Sequence, residues 1–167
     1  MYGVVIWICL YVVLFFLVFF AAEFTSYMWH RYLAHPSIIN KILPLGEIVT
    51  AHKLHHDGDL THDASEDFVW IVYGLILVMI VFGALCLLGV FRRIPGGILI
   101  TIILAAASVF ILNWYLHLAV HETDHWLQKW SFVKDLQTVH FVHHDNPHVN
   151  YSITDFSDTI FGTFGVS

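Results

Sequence analysis

Three blocks of this sequence carry no Asp, Glu, Lys or Arg at all: residues 1–22, 68–91 and 94–120. At about 1.5 Å of rise per residue, each is long enough to cross a hydrocarbon core of roughly 30 Å as a helix. Spans are expected near residues 3–28, 68–91 and 96–120. Between the last two blocks, Arg92, Arg93, Ile94, Pro95, Gly96 and Gly97 follow one another. A Pro-Gly-Gly run neither continues a helix nor holds a strand, so the pattern predicts a tight hairpin joining two spans. The first block lacks the basic leader and small-residue cleavage site of a signal peptide and runs straight on to Glu23 and His30; it is expected to stay as a mature span. Ile38, Ile39, Ile42, Leu43, Leu45, Ile48 and Val49 make an apolar face interrupted by Pro36 and Pro44, which predicts short helices lying in the membrane interface. The expected fold is all-α: an integral membrane protein with about three long transmembrane helices plus short interfacial ones, in a single domain covering 1–167.

Three crossings place residues 23–67 and 121–167 on one side of the bilayer, and the histidine clusters fall there. Arg31, Lys41, Lys53, Lys129 and Lys134 lie on that side, against Arg92 and Arg93 in the opposite hairpin. By the distribution of basic residues the histidine face is expected to be cytoplasmic. Composition agrees with a lipid solvent, at 58% hydrophobic and 12% charged residues. Cys9 and Cys86, the only cysteines, both fall inside apolar blocks, so neither a disulfide framework nor a cysteine-based metal site is available. The net charge of -6 comes without any basic stripe, and no nucleic-acid partner is expected.

The chemistry is carried by histidine. Ten of the thirteen occur in four clusters: His30 and His35 in HRYLAH, His52, His55 and His56 in HKLHH, His121 and His125 in HETDH, and His140, His143 and His144 in HFVHH. On a helix, positions i, i+3 and i+4 share one face, so each HxxHH is expected to aim three imidazoles at a common point, and His121 and His125 to do the same as a pair. His30 and His35 would diverge by about 140° on an unbroken helix at 3.6 residues per turn, unless the helix ends at Pro36 and lets His35 turn back. Neutral imidazole suits iron and zinc alike. Ten such ligands are too many for one ion and fit a binuclear site, with metal-binding segments over 30–67 and 117–150.

An acidic set accompanies the histidines: Asp57, Asp59, Asp63, Glu66, Asp67, Glu122, Asp124 and Asp145. Carboxylates commonly accept the second N–H of a ligating imidazole, and these are assigned that role as a group, Asp59, Asp63, Asp67, Glu122, Asp124 and Asp145 foremost. His117, His62, His148 and Asn113 are additional candidates. Taken singly, each of these histidines reads equally well as an interfacial polar group. Asn113, His117, His121 and His125 form an i, i+4 stripe that could equally be a hydrogen-bonded contact between packed helices. Two rival classes are open. A metal transporter or sensor would also use clustered histidines, though near the bilayer midplane, and a haem-binding cytochrome would explain only a few of the ten.

In this order, HRYLAH, HKLHH, HETDH and HFVHH resemble the histidine motifs of the fatty acid hydroxylase and sterol desaturase superfamily of membrane oxygenases. The segment NYSITDFSDTIFGTF, residues 150–164, is similar to the one that closes the fatty acid hydroxylase domain. Small bacterial beta-carotene hydroxylases are a nearer match in length, in a glutamate seven residues ahead of the first pair, as Glu23 is here, and in an acidic-aromatic entry like Asp67-Phe68. HETDH and the closing segment depart from that branch. The chain is short for a fatty acid hydroxylase and lacks one leading span, which leaves room for a homodimer. The resemblance implies two iron ions that bind dioxygen and insert oxygen into an unactivated C–H bond of a lipid: an acyl chain, a sterol-like molecule or a carotenoid. It also implies electrons from an NAD(P)H-linked donor through a small cytochrome or ferredoxin. No dinucleotide-binding motif occurs in the chain, so reductant must be external. Zinc also favours imidazole and would suit the site after purification.

Overall fold

The computed structural model describes residues 2–37, 39, 42, 46–57, 89, 94–152 and 154–165, and no strand occurs among them. Helix α1 (Tyr2–Trp29) has its only glycine at position 3, no proline, and one charged residue, Glu23. It tightens into a π-helical turn over His30–Ala34 and stops at His35, which is extended ahead of Pro36, as the steric demand of a following proline requires. Helix α2 spans Gly46–Asp57 and helix α3 Gly96–His121. A 3-10 turn over Trp126–Lys129 leads into helix α4 (Ser131–Asp145), and helix α5 (Phe156–Phe161) lies in the closing segment.

Two helical runs, Gly3–Ala34 and Gly96–His121, are long and apolar enough to cross a membrane. Their apolar side chains turn outward, Val4, Leu17, Ile100 and Ile111 among them, a surface that suits lipid. These two runs fit a membrane protein and match two of the expected spans. The span expected over 68–91 lies outside the described residues, as do Arg92 and Arg93. The hairpin reading needs correcting at its far end, where Gly96 and Gly97 are the first residues of α3. Pro95 accepts the helix's opening bonds, from Ile98 N at 2.9 Å and Leu99 N at 3.4 Å. Proline and glycine disfavour helix interiors, but the first turn needs no amide from its leading residues. Gly97 also lies against Tyr11, whose hydroxyl would sit 2.6 Å from a Cβ at that position.

The chain divides into two compact units, each drawing on both halves of the sequence. The first comprises Met1–Ala22 and Asp63–Trp114, and the second Glu23–His62 and Tyr115–Ser167. All twelve described histidines belong to the second unit. Its small core packs Ala119 and Val120 at the end of α3 on Val133 of α4, with Leu127 and Leu136 alongside. Gln128 Nε2 donates to the Ala119 carbonyl at 2.6 Å and Gln137 Nε2 to the Val120 carbonyl at 2.7 Å. Carbonyls that a helix end leaves without partners are thereby satisfied, and the end of α3 is fixed against α4. The closing segment packs on the polar stripe of α1. Glu23, buried, accepts from the Thr154 hydroxyl at 2.7 Å and from that of Ser157. Four residues on, Tyr27 stacks on Phe161 with ring centres 5.2 Å apart.

Candidate metal centre

Five imidazoles form one group. The ligand nitrogens of His30, His35, His52, His56 and His143 lie within 4.8 Å of one another. His30 and His35 meet because the turn between them is π-helical: His35 N donates to His30 O across five residues at 3.2 Å, where an α-helical turn would have closed after four. Their Nε2 atoms are 3.2 Å apart. Helix α2 adds His52 and His56, one turn apart, with Nε2 of His52 3.0 Å from that of His30 and 3.1 Å from that of His56. Helix α4 adds His143, whose Nε2 is 3.1 Å from that of His35.

A second group contains His55, His117, His121 and His140, again within 4.8 Å of one another. His117 and His121 occupy successive turns at the end of α3, and His121 Nε2 is 2.9 Å from that of His140. His144 adjoins the group, its Nε2 3.1 Å from that of His140 and its ring centre 4.8 Å from that of His55.

The two HxxHH segments are divided between the groups, which corrects the expectation that each aims three rings at one point. In HKLHH the i and i+4 residues, His52 and His56, enter the first group and the i+3 residue, His55, the second. In HFVHH the sorting reverses, with His143 in the first group and His140 in the second, His144 beside it. Helical geometry accounts for this. Positions i and i+4 lie about 40° apart around the axis, whereas i+3 and i+4 lie about 100° apart. A motif with all three positions filled therefore serves two centres side by side.

The donor set fits cations. His30 Nδ1 donates to the Tyr151 carbonyl at 2.5 Å and His143 Nδ1 to the Val149 carbonyl at 2.6 Å. A carbonyl can only accept, so in the neutral rings the lone pair is on Nε2, the atom facing the group. Burial, reinforced by neighbouring imidazoles, pushes His35 down to about 3 and His143 to about 2. His52, His56 and His140 are also lowered, with burial the largest cause in each. The Nε2 lone pairs of His30 and His143 face neighbouring ring nitrogens at 3.0 and 3.1 Å, and neutral imidazole nitrogens gathered in this way suit a shared metal ion.

Nine of the ten clustered histidines are brought to the two groups or their edge, and His125 is not. Helix α3 ends at His121, and His125 instead caps the following 3-10 turn, its Nδ1 accepting from Leu127 N at 3.3 Å. The i, i+4 helical reading of HETDH is thus corrected: the spaced pair on α3 is His117 and His121. His148 is exposed, Asn113 falls in the first unit, and His62 lies outside the described residues.

The acidic assignment is corrected for the four of its residues that are described, Asp57, Glu122, Asp124 and Asp145. Glu122, Asp124 and Asp145 are exposed, because α3 ends before the first two and α4 ends at the third. Asp57 is exposed too, 4.0 Å from Lys53. Asp59, Asp63, Glu66 and Asp67 lie outside the described residues. Among the described residues, the second ring nitrogens of His30 and His143 are held by backbone carbonyls. The residues that present those carbonyls, Val149 and Tyr151, have no side-chain signature of that role. The glutamate and tyrosine of the α1 stripe, at i and i+4 ahead of His30, are a signal that could have marked Glu23 and Tyr27 as facing a packed partner, here the closing segment.

Comparison with known proteins gives one match. The fatty acid hydroxylase family model aligns with residues 15–163. Nothing among curated proteins and nothing among solved structures matches the chain.

Proposed function

The chain belongs to the fatty acid hydroxylase family, and from that premise we propose that it is a membrane monooxygenase that hydroxylates or desaturates a lipid using two iron ions and dioxygen. Membership implies an oxidoreductase of the lipid hydroxylase or desaturase type; the metal, the oxidant and the substrate are the proposal. One observation carries it: two adjoining groups of buried and half-buried imidazoles, built from segments far apart in sequence. His30, His35, His52, His56 and His143 would hold one ion, and His55, His117, His121 and His140, with His144, the other. When bound, two redox-active ions supply the activation of dioxygen that attack on an unactivated C–H bond requires.

This chain's own residues do the rest. Burial keeps His35, His52, His56, His140 and His143 unprotonated, so their ligand nitrogens are ready at neutral pH. The Tyr151 and Val149 carbonyls fix the tautomer of His30 and His143. Imidazole, unlike thiolate, withstands an oxidising centre. Electrons would come from an external small cytochrome or ferredoxin, and the histidine side would face the cytoplasm. An acyl chain, a sterol-like lipid and a carotenoid are all substrates of suitable chemistry. Ligand groups at the ends of the two apolar helices, beyond most of their length, favour this over a transporter, which holds its ions near the midplane.

The test is oxygen-dependent turnover by the full chain reconstituted with iron, lipid and a reductant. Lipid gaining one oxygen or losing two hydrogens is expected, with loss of at least about 100-fold in His55→Ala and His143→Ala. Full activity in both variants, or metal flux into vesicles without oxygen uptake, would contradict it.

A further inference from the structure

The closing segment holds a buried carboxylate that touches none of the imidazoles. Asp158 is fully buried in α5, and both its oxygens are taken up by donors. Its Oδ1 accepts from Tyr151 N at 2.8 Å and the Thr163 hydroxyl at 2.7 Å, and its Oδ2 from Ser152 N at 2.6 Å and the Ser152 hydroxyl at 2.5 Å. A carboxylate, accepting at both oxygens, satisfies that set, and an amide cannot.

The position of these donors is what connects Asp158 to the metal centre. Ser152 N and the Tyr151 carbonyl belong to one planar trans peptide, in which N–H and C=O point in opposite directions. The N–H end of that plane is held by Asp158, and its C=O end receives the His30 Nδ1 proton. A second plane repeats the pattern. Asn150 N donates to the Thr163 carbonyl at 2.9 Å, while the Val149 carbonyl receives the His143 Nδ1 proton. Thr163 is itself held by Asp158, through its hydroxyl and through Thr163 N to the Asp158 carbonyl at 2.9 Å. Asn150, in a left-handed conformation at φ 54, keeps the segment in register by bonding Gly165 through both its amide atoms. His30 and His143 are both in the first imidazole group.

We infer that Asp158 is a positioning residue for the first imidazole group: through two peptide planes it sets the carbonyls that orient His30 and His143, and so tunes the metal affinity of that group and not of the other. This rests on the reading of the two groups as metal sites. A general stabilising role would weaken both groups together, whereas the connectivity here is selective.

The experiment is a titration of the full chain in detergent with cobalt(II), reading ions bound per chain and the visible absorption of each. The wild type should bind two. Asp158→Asn keeps shape but turns a donor toward the donors it faces, and should weaken one ion by about 10-fold with the other unchanged. Combined with His30→Ala, it should add less than it costs alone, the remainder acting through His143; combined with His55→Ala, the losses should add in full. If Asp158→Asn does not fold, Ser152→Ala, which removes one of the four bonds, should weaken the same ion by a smaller factor. Unchanged affinity in the variants, or equal weakening of both ions, overturns the inference while leaving the metal-site reading intact. A wild type that binds no pair of ions removes the metal-site reading itself, and the inference with it.

Discussion

Below pH 6.5 an unfolded chain protonates its histidines, whereas His35 and His143, buried among other imidazoles, resist until about 3 and about 2. The unfolded state then binds more protons than the folded one, so stability falls as pH falls. The contribution is complete above pH 6.5 and is lost progressively toward the folded values. Metal-free protein in detergent should therefore unfold at lower temperature or denaturant as pH drops from 7 to 4. Metal uptake at pH 6.5 should release few protons in the folded protein, where a peptide carrying the same motifs would release about half a proton per imidazole. Buffer-dependent calorimetry distinguishes the two. Asp155 runs the other way. Burial, with Asp158 and Glu23 nearby, raises its carboxyl to about 6, so its contribution is lost as pH rises from about 4 through 6. It also has a left-handed backbone, φ 57, which asparagine tolerates. Asp155→Asn should raise the melting temperature at pH 7.5 and leave it nearly unchanged at pH 4.

At the level of elements, register decides which ring enters which group, and the difference between His117 and His125 tests that directly. His117→Ala should lower bound metal by one ion per chain, while His125→Ala should leave it unchanged, because α3 ends between them. Loss of an ion in His125→Ala would restore the helical reading of HETDH. Much of the candidate site was legible in the sequence: the histidine clusters and two of the apolar helices follow from residue types and spacing. What was not legible depends on where helices stop. The four positions from His121 to His125 suit a helix, yet the packing of Ala119 and Val120 on Val133, with Gln128 and Gln137 capping the carbonyls, ends it at His121. The π-helical turn at His30 was anticipated only as a helix end at Pro36. For His30 and His143 the role expected of acids falls to the Tyr151 and Val149 carbonyls, and backbone groups leave no compositional trace. The two-way division of each HxxHH, by contrast, was available from helical angles alone.

Across the whole molecule, apolar helices with outward-facing side chains continue into a polar second unit that holds all the described histidines. Within that unit the π-helical turn after α1, and α2, α3 and α4, each contribute imidazoles to the two groups, and the closing segment bonds back to α1 through Glu23 and Tyr27. Segments so distant in sequence converge only in the folded chain, so metal content reports on the fold itself. The most direct measurement is the number of metal ions per chain, by mass spectrometry of purified full-length protein, in the wild type, His143→Ala, His55→Ala and the double variant. Two groups that each hold one ion give two, one, one and none. A wild type carrying a single ion, or either single variant retaining both, would contradict the division of these imidazoles into two metal sites.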